Sequence, residues 1–274
     1  MKSMIKSDVI VVGAGPVGLT AACELRLAGL RVVVLERRAA PVTQSRALTM
    51  HGRTLEMLAL RGVADRFIAQ GMKLPTGHYA GLGTRLDFSR IDTTYPFTLV
   101  IPQCTTEQLL EAWALELGVE VYRQTTVEHV LEDADGVQVR AVCADETRHF
   151  SAAYLIGADG ARSAVRQHAG IAFNGTEPTQ TVMMGDVYLR APPPLRGFSM
   201  ENAAGALMAV PLSADVWRMI VTDTQRMHVP AAVAVTLDEL QASVQRVSGQ
   251  DFDLHTPQWL SRFSNETRLA ERYR

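Results

Sequence analysis

The chain has 274 residues, enough for one large domain or two ordinary ones, and 47% hydrophobic with 20% charged residues describes a globular protein with a sizeable core. Lys and Arg total 27 against 29 Asp and Glu, so no basic excess points to nucleic acid and no polybasic run to anionic lipid. Cys23, Cys104 and Cys143 are sparse and lack metal-ligand spacing, and the seven histidines show no HxH or HExxH pattern.

The N-terminal MKSMIKSD leads into only about five apolar residues before Gly13, too short for a secretory h-region. With so few thiols, the expectation is a cytoplasmic protein in a reducing compartment. Asp8–Val12 is a β-branched run that reads as a buried parallel strand. It enters GAGPVG, where Gly13, Gly15 and Gly18 have GxGxxG spacing, and PVGLTAACELRLAG then has helical periodicity ending at Gly29. RVVVLE is a second buried strand whose last residue is Glu36.

Each part has a physical task. Gly13 permits the tight turn, Gly15 lets the backbone approach a pyrophosphate, and Gly18 lets the helix pack close to the strand. The helix N-terminus offers free N–H groups and partial positive charge to phosphates. Glu36, 18 residues beyond Gly18, is placed to accept hydrogen bonds from an adenosine ribose. A carboxylate ~4 Å from a 2′-phosphate costs several kcal/mol per charge pair at an effective dielectric of about 20. The nucleotide expected is therefore FAD or NAD rather than NADP, although Arg37 and Arg38 work against that selection.

SRALTMHGRTLEMLALRG opens as a polar loop carrying Arg46 and becomes an amphipathic helix ending near Gly62. GHYAGLGTRLDF suggests a short hairpin in an excursion from the first sheet. IPQCTTEQLLEAWALELG reads as a helix with Thr105 as N-cap and Leu109, Leu110, Trp113 and Leu117 on the buried face. VEVYRQ, TVEHVLED and GVQVRAVCAD read as strands, the latter two joined across DADG. YLIGADGARSAVR then runs as a buried strand into an Asp159-Gly160 turn and a basic helix start. Alone, such a turn is an ordinary β-turn.

From Asn174 the pattern changes to TVMMGDVYLR, GALMAVPL and VWRMIVTD, alternating runs of an antiparallel sheet. PPPLRG is read as a loop, and TLDELQASVQRVSG as an amphipathic helix with Thr236 as N-cap and Glu239 three residues later. Met183, Met184, Met200, Met208 and Met219 suit either core packing or a pocket for a flat substrate.

Four motifs in this order resemble the single-component FAD-dependent aromatic hydroxylases, the para-hydroxybenzoate hydroxylase type of flavoprotein monooxygenase, and most of all the aromatic-polyketide hydroxylases. GAGPVG with LERR is similar to the family's FAD-adenosine site, which implies Gly13, Gly15, Pro16, Val17, Gly18, Glu36 and Arg37 as cofactor-binding residues. SRALTMHGRTLEML implies Arg46 near the FAD phosphates, and IPQCTTEQLL implies Gln103 at the ribityl chain. GADGARSAVR resembles the second fingerprint, whose turn serves both FAD and incoming NADPH; it implies Asp159 and Gly160, with Arg166 a weaker candidate.

The resemblance implies an α/β fold. A Rossmann-like FAD-binding domain with a central parallel sheet would span 1–70 and 99–173, with 264–274 returning to it. An antiparallel-sheet α+β substrate domain would span 71–98 and 174–263. It also implies NADPH reduction of the flavin, oxygen addition to give a flavin hydroperoxide, and attack on an electron-rich phenolic or polyketide ring. NADPH, molecular oxygen and the aromatic substrate are then the small-molecule partners, and no residue is singled out as a catalytic base. The family's third motif, a strand ending in Gly-Asp before a helix facing the flavin, has no counterpart before Arg274. The expectation is a C-terminally truncated chain, with an inactive fragment, or half of a split enzyme that needs a complementing chain, as alternatives. Within the fold the rivals are an epoxidase and a flavin halogenase, though no WxWxIP stretch is present; outside it, an NAD dehydrogenase.

Overall fold

A computed structural model describes residues 4–45, 47–78, 84–193 and 198–274. The chain divides into two compact units, one of Met1–Met72, Ile101–Phe173 and Ala270–Arg274, the other of Lys73–Val100 and Asn174–Leu269.

The first unit is built on a parallel sheet ordered Tyr154–Gly157, Val9–Val12, Val32–Leu35, Glu120–Tyr122. Its two central strands, VIVV and VVVL, are buried at every position, as strands covered on both faces must be. The first starts one residue later than expected, because Asp8 turns its carboxylate onto Arg31, accepting from the backbone N–H and from Nη2 at 2.7 Å each. A second sheet, ordered Met4–Lys6, Glu146–Ala152, Gly136–Cys143, Thr125–Asp133, packs against the parallel one. Ile10, Val12, Val33 and Leu35 meet Val137, Val139, Ala141 and Phe150 there in one core.

The helix Pro16–Leu27 buries Leu19, Ala22 and Cys23, and Gly29 in the left-handed region (φ +87°) ends it. Burial pushes the Cys23 thiol up to about 12, so it behaves as a small hydrophobe. The next predicted helix is Gly52–Ala59, and a further short one, Ala64–Ile68, was not expected. The helix Gln103–Glu116 begins at Gln103 after Pro102, not after Thr105. The Gln103 N–H donates to Ala47 O at 3.0 Å, and the Cys104 N–H to Ser45 Oγ at 3.1 Å, so the chain is already held in place two residues earlier. Leu110, Trp113 and Ala114 are buried with Glu107, whereas Leu109 and Leu117 are only partly so.

Tyr154–Gly157 was expected to be buried but is an edge strand with Tyr154 72% exposed. It still pairs in parallel register with Val9–Val12, Gly157 opposite Val12.

In the second unit Phe198–Asn202, Gly205–Pro211, Val216–Asp223, Thr181–Leu189 and Leu254–Ser264 form an antiparallel sheet in that order. The helix Leu237–Ser248 packs on one face, Leu240 and Val244 joining Met183, Leu207, Met219 and Val221. Thr236 Oγ1 accepts from the Glu239 N–H at 3.2 Å, and Gly249 (φ +70°) closes the helix. Met183, Met184 and Met219 are buried, Met200 packs against the core and Met208 is half-buried. Asp186 and Arg218, directly opposite each other in register, form a buried bidentate pair at 2.6 and 2.7 Å. Thr76–His78 and Arg85–Asp87 pair antiparallel, while residues 194–197 of PPPLRG lie outside the described residues. No helix among the described residues is long and apolar enough to cross a membrane.

Candidate functional site: a groove between two strand turns

Two parallel neighbouring strands, Val9–Val12 and Tyr154–Gly157, end level with one another, so the turns that follow them lie side by side. Gly13 sits at φ +106°, and a Cβ there would stand 2.5 Å from Ala158 O and 3.0 Å from Asp159 N. Only glycine allows both that conformation and that approach. Gly18 is equally constrained, since its Cβ would collide with Gly13 O, and it is buried at the helix–strand contact. Gly15 differs. Its backbone is extended (φ −81°), no atom lies within 4 Å of where its Cβ would be, and it caps the helix without a side-chain hydrogen bond. The first-turn N–H groups of a helix have no intrahelical acceptors, and Pro16 at the first position forfeits nothing.

A groove of about 320 Å³ opens beside these turns, within the first unit. Gly13, Gly15, Pro16 and Val17 line it from the first turn, and Asp159 and Gly160 from the second. Glu36, Arg37 and Gln103 complete the set that the motifs predict there. Gly18 supports the groove from behind. Arg46 lies outside the described residues. Arg166 does not line the groove: its guanidinium stacks on Phe173 at 4.6 Å and donates to Ile171 O at 3.1 Å.

The Glu36 carboxylate is 5% exposed and accepts from the Ala14 N–H at 2.8 Å and the Arg38 N–H at 2.9 Å. It therefore braces the glycine turn as well as facing the groove, and of roughly four lone-pair sites it retains about two. Asp159 Oδ2 accepts from the Ala164 N–H at 2.6 Å, while Oδ1 is buried with no hydrogen-bond partner. A buried acceptor left open costs free energy unless a ligand satisfies it. Glu107, Arg162 and Arg38 also line the groove and were missed as site residues. The one available signal for Glu107 was its place four residues after Gln103, on the same helix face.

Three arginines and three carboxylates thus line the groove beside a helix terminus that no side chain caps. This suits a ligand carrying phosphate charge at one point and hydroxyl donors at others. The fold and groove define a dinucleotide-binding βαβ cradle doubled by a second strand turn.

Known proteins narrow that class. A family model described as FAD binding domain matches residues 6–274. An uncharacterized aromatic compound monooxygenase of Bacillus subtilis is 45% identical over 272 residues, 99% of this chain and 54% of that protein. The 12-dehydrotetracycline 5-monooxygenase/anhydrotetracycline 6-monooxygenase of Streptomyces rimosus is 41% identical over 279 residues, 98% of this chain and 56% of that protein. The solved anhydrotetracycline hydroxylase from Streptomyces rimosus superposes with a TM-score of 0.86 at 42% identity, covering 98% of this chain and 54% of that one. This chain belongs to the FAD-binding domain family, and it spans about half the length of the curated relatives it matches.

Proposed function

We propose that this chain carries the FAD cradle and the substrate sheet of a flavin-dependent monooxygenase that hydroxylates an aromatic, phenolic or polyketide substrate. NADPH serves as hydride donor and molecular oxygen as co-substrate. The observation that carries the reading is the meeting of the Gly13 and Ala158–Asp159 turns at one groove beside Glu36. A dinucleotide site needs one glycine turn; the second, with an open carboxylate oxygen, suits a longer ligand with a hydroxylated chain.

In this reading the N–H groups after Gly15 receive the pyrophosphate, and the lone pairs left on Glu36 receive adenosine ribose hydroxyls. Gln103 reaches the ribityl chain, and the Asp159-Gly160 turn supports the FAD beside the pyrophosphate, with Gly160 leaving room for close approach of the backbone. Arg37 and Arg162 supply positive charge along the groove. Bound FAD supplies the redox and oxygen-activating chemistry, and the chain orients it. The buried sheet of the second unit offers an apolar framework for the aromatic substrate, and no side chain is assigned as a catalytic base.

FAD titration followed by flavin fluorescence tests the proposal. Saturable binding at one FAD per chain, weakened in Glu36→Ala, is expected, with NADPH oxidation stimulated by phenols in a form that turns over. Tight NAD binding without flavin would refute it in favour of a dehydrogenase.

A further inference from the structure

Glu107 is a carboxylate required by neither turn, yet it is 4% exposed in the wall of the groove. Burying a carboxylate is costly unless it is hydrogen-bonded. It stands on the helix Gln103–Glu116, and Gln103 Nε2 donates to Glu107 Oε1 at 2.7 Å. Gln103 is also held at its other end. Its Oε1 accepts from the Ala47 N–H at 3.2 Å, and its own backbone N–H donates to Ala47 O.

An amide fills the same space in two orientations, and these neighbours permit one. Flipped, the amide would set its oxygen against the Glu107 carboxylate and its NH₂ against the Ala47 N–H, opposing like partial charges at both ends. In the allowed orientation Oε1 faces Ala47, Nε2 faces Glu107, and one of the two N–H groups on Nε2 is left over. Gln103 itself lines the groove.

We propose that Glu107 is a positioning residue of the groove: it locks the Gln103 amide so that the spare N–H is offered to an acceptor oxygen of the bound dinucleotide. Through Ala47 the same lock ties the helix start to the stretch that leads into Thr49–Met50. The proposal rests on the reading of the groove as an FAD site.

The test is a double-mutant cycle of Glu107→Gln and Gln103→Ala, read as FAD affinity, together with hydrogen exchange at the Ala47 N–H in the FAD-free chain. Glu107→Gln keeps the shape but can pair with Gln103 in either orientation. The expected loss of FAD affinity is about 5- to 10-fold, the difference between a charged and a neutral acceptor. Ala47 exchange should be faster in the same variant, and the double variant should bind no more weakly than Gln103→Ala alone. Multiplying losses in the double variant, or wild-type affinity and wild-type Ala47 exchange in Glu107→Gln, would overturn the proposal alone. A wild-type chain that binds no FAD would overturn the site reading and this proposal with it.

Discussion

Gly15 and Gly13 stand two residues apart in one motif, and the structure assigns them opposite sensitivities. In Gly15→Ala the backbone is already extended and the new methyl meets nothing within 4 Å. Alanine is a poorer helix N-cap than glycine, by roughly 0.5–1 kcal/mol. Removing a glycine from the unfolded chain returns about 0.4–1 kcal/mol, so folding stability should change by less than ~0.5 kcal/mol. The methyl nevertheless stands where a pyrophosphate must approach the helix terminus. Losing one charge-assisted hydrogen bond, about 1.5–3 kcal/mol, weakens FAD binding by about 10- to 100-fold. Gly13→Ala should do the reverse and damage the fold first. Forcing a Cβ into φ +106° and to 2.5 Å from Ala158 O combines backbone strain of about 1–3 kcal/mol with overpacking of about 1–3 kcal/mol. Thermal unfolding without FAD, paired with FAD titration, separates the two effects. A Gly15→Ala chain of normal stability that binds FAD within twofold of wild type would refute the placement of the phosphates.

Two further outcomes concern the second unit. Asp186→Asn should destabilise by about 3–5 kcal/mol in chemical denaturation, because it removes the negative charge that neutralises the fully buried Arg218 guanidinium, whereas replacing both residues by apolar ones of similar volume should cost much less; a loss below ~1 kcal/mol would mean the pair is hydrated. Burial pushes the Asp223 carboxyl up, but Arg246 at 3.0 Å and the Gln225 N–H at 2.9 Å outweigh it and hold it below its ordinary 3.8. Burial likewise pushes the Glu239 carboxyl up, but Arg226 and Arg262 at 2.6 and 2.7 Å outweigh it and hold it below its ordinary 4.5. Both folded values lie under the unfolded ones, so the stabilisation is complete above pH ~4.5 and is lost as pH falls through the folded values. Asp223→Asn should flatten that acid limb in pH-dependent thermal melts, and an unchanged limb would contradict the assignment.

The βαβ unit was legible because its strands are covered on both faces: VIVV and VVVL cannot be anything amphipathic, and glycine spacing marks the turn between strand and helix. Nine of the residues expected at the cofactor line one groove, since the motifs name backbone positions whose geometry is local. Exposure of Tyr154 was not legible. YLIG reads like an interior strand, and its place at the sheet edge depends on which strands lie beside it. Glu107 escaped for the opposite reason, as a carboxylate in an amphipathic helix ordinarily faces water, whereas this one lies on the buried face with Leu110, Trp113 and Ala114. Leu254–Ser264 was missed because HTPQWLSRFS has no clean alternation, and its pairing with Thr181–Leu189 contains a register shift between Asp186 and Tyr188.

The close fit of Gly13 against Ala158 also bears on how the molecule is assembled. The glycine turn is encoded near the start of the chain, but the wall it fits against arrives only when Tyr154–Gly157 pairs with Val9–Val12. Contacts so distant in sequence are slow to close. The wall of the groove thus depends on a pairing far apart in the sequence, and a nascent chain that has emerged only as far as Glu36 holds the motif without yet holding the groove.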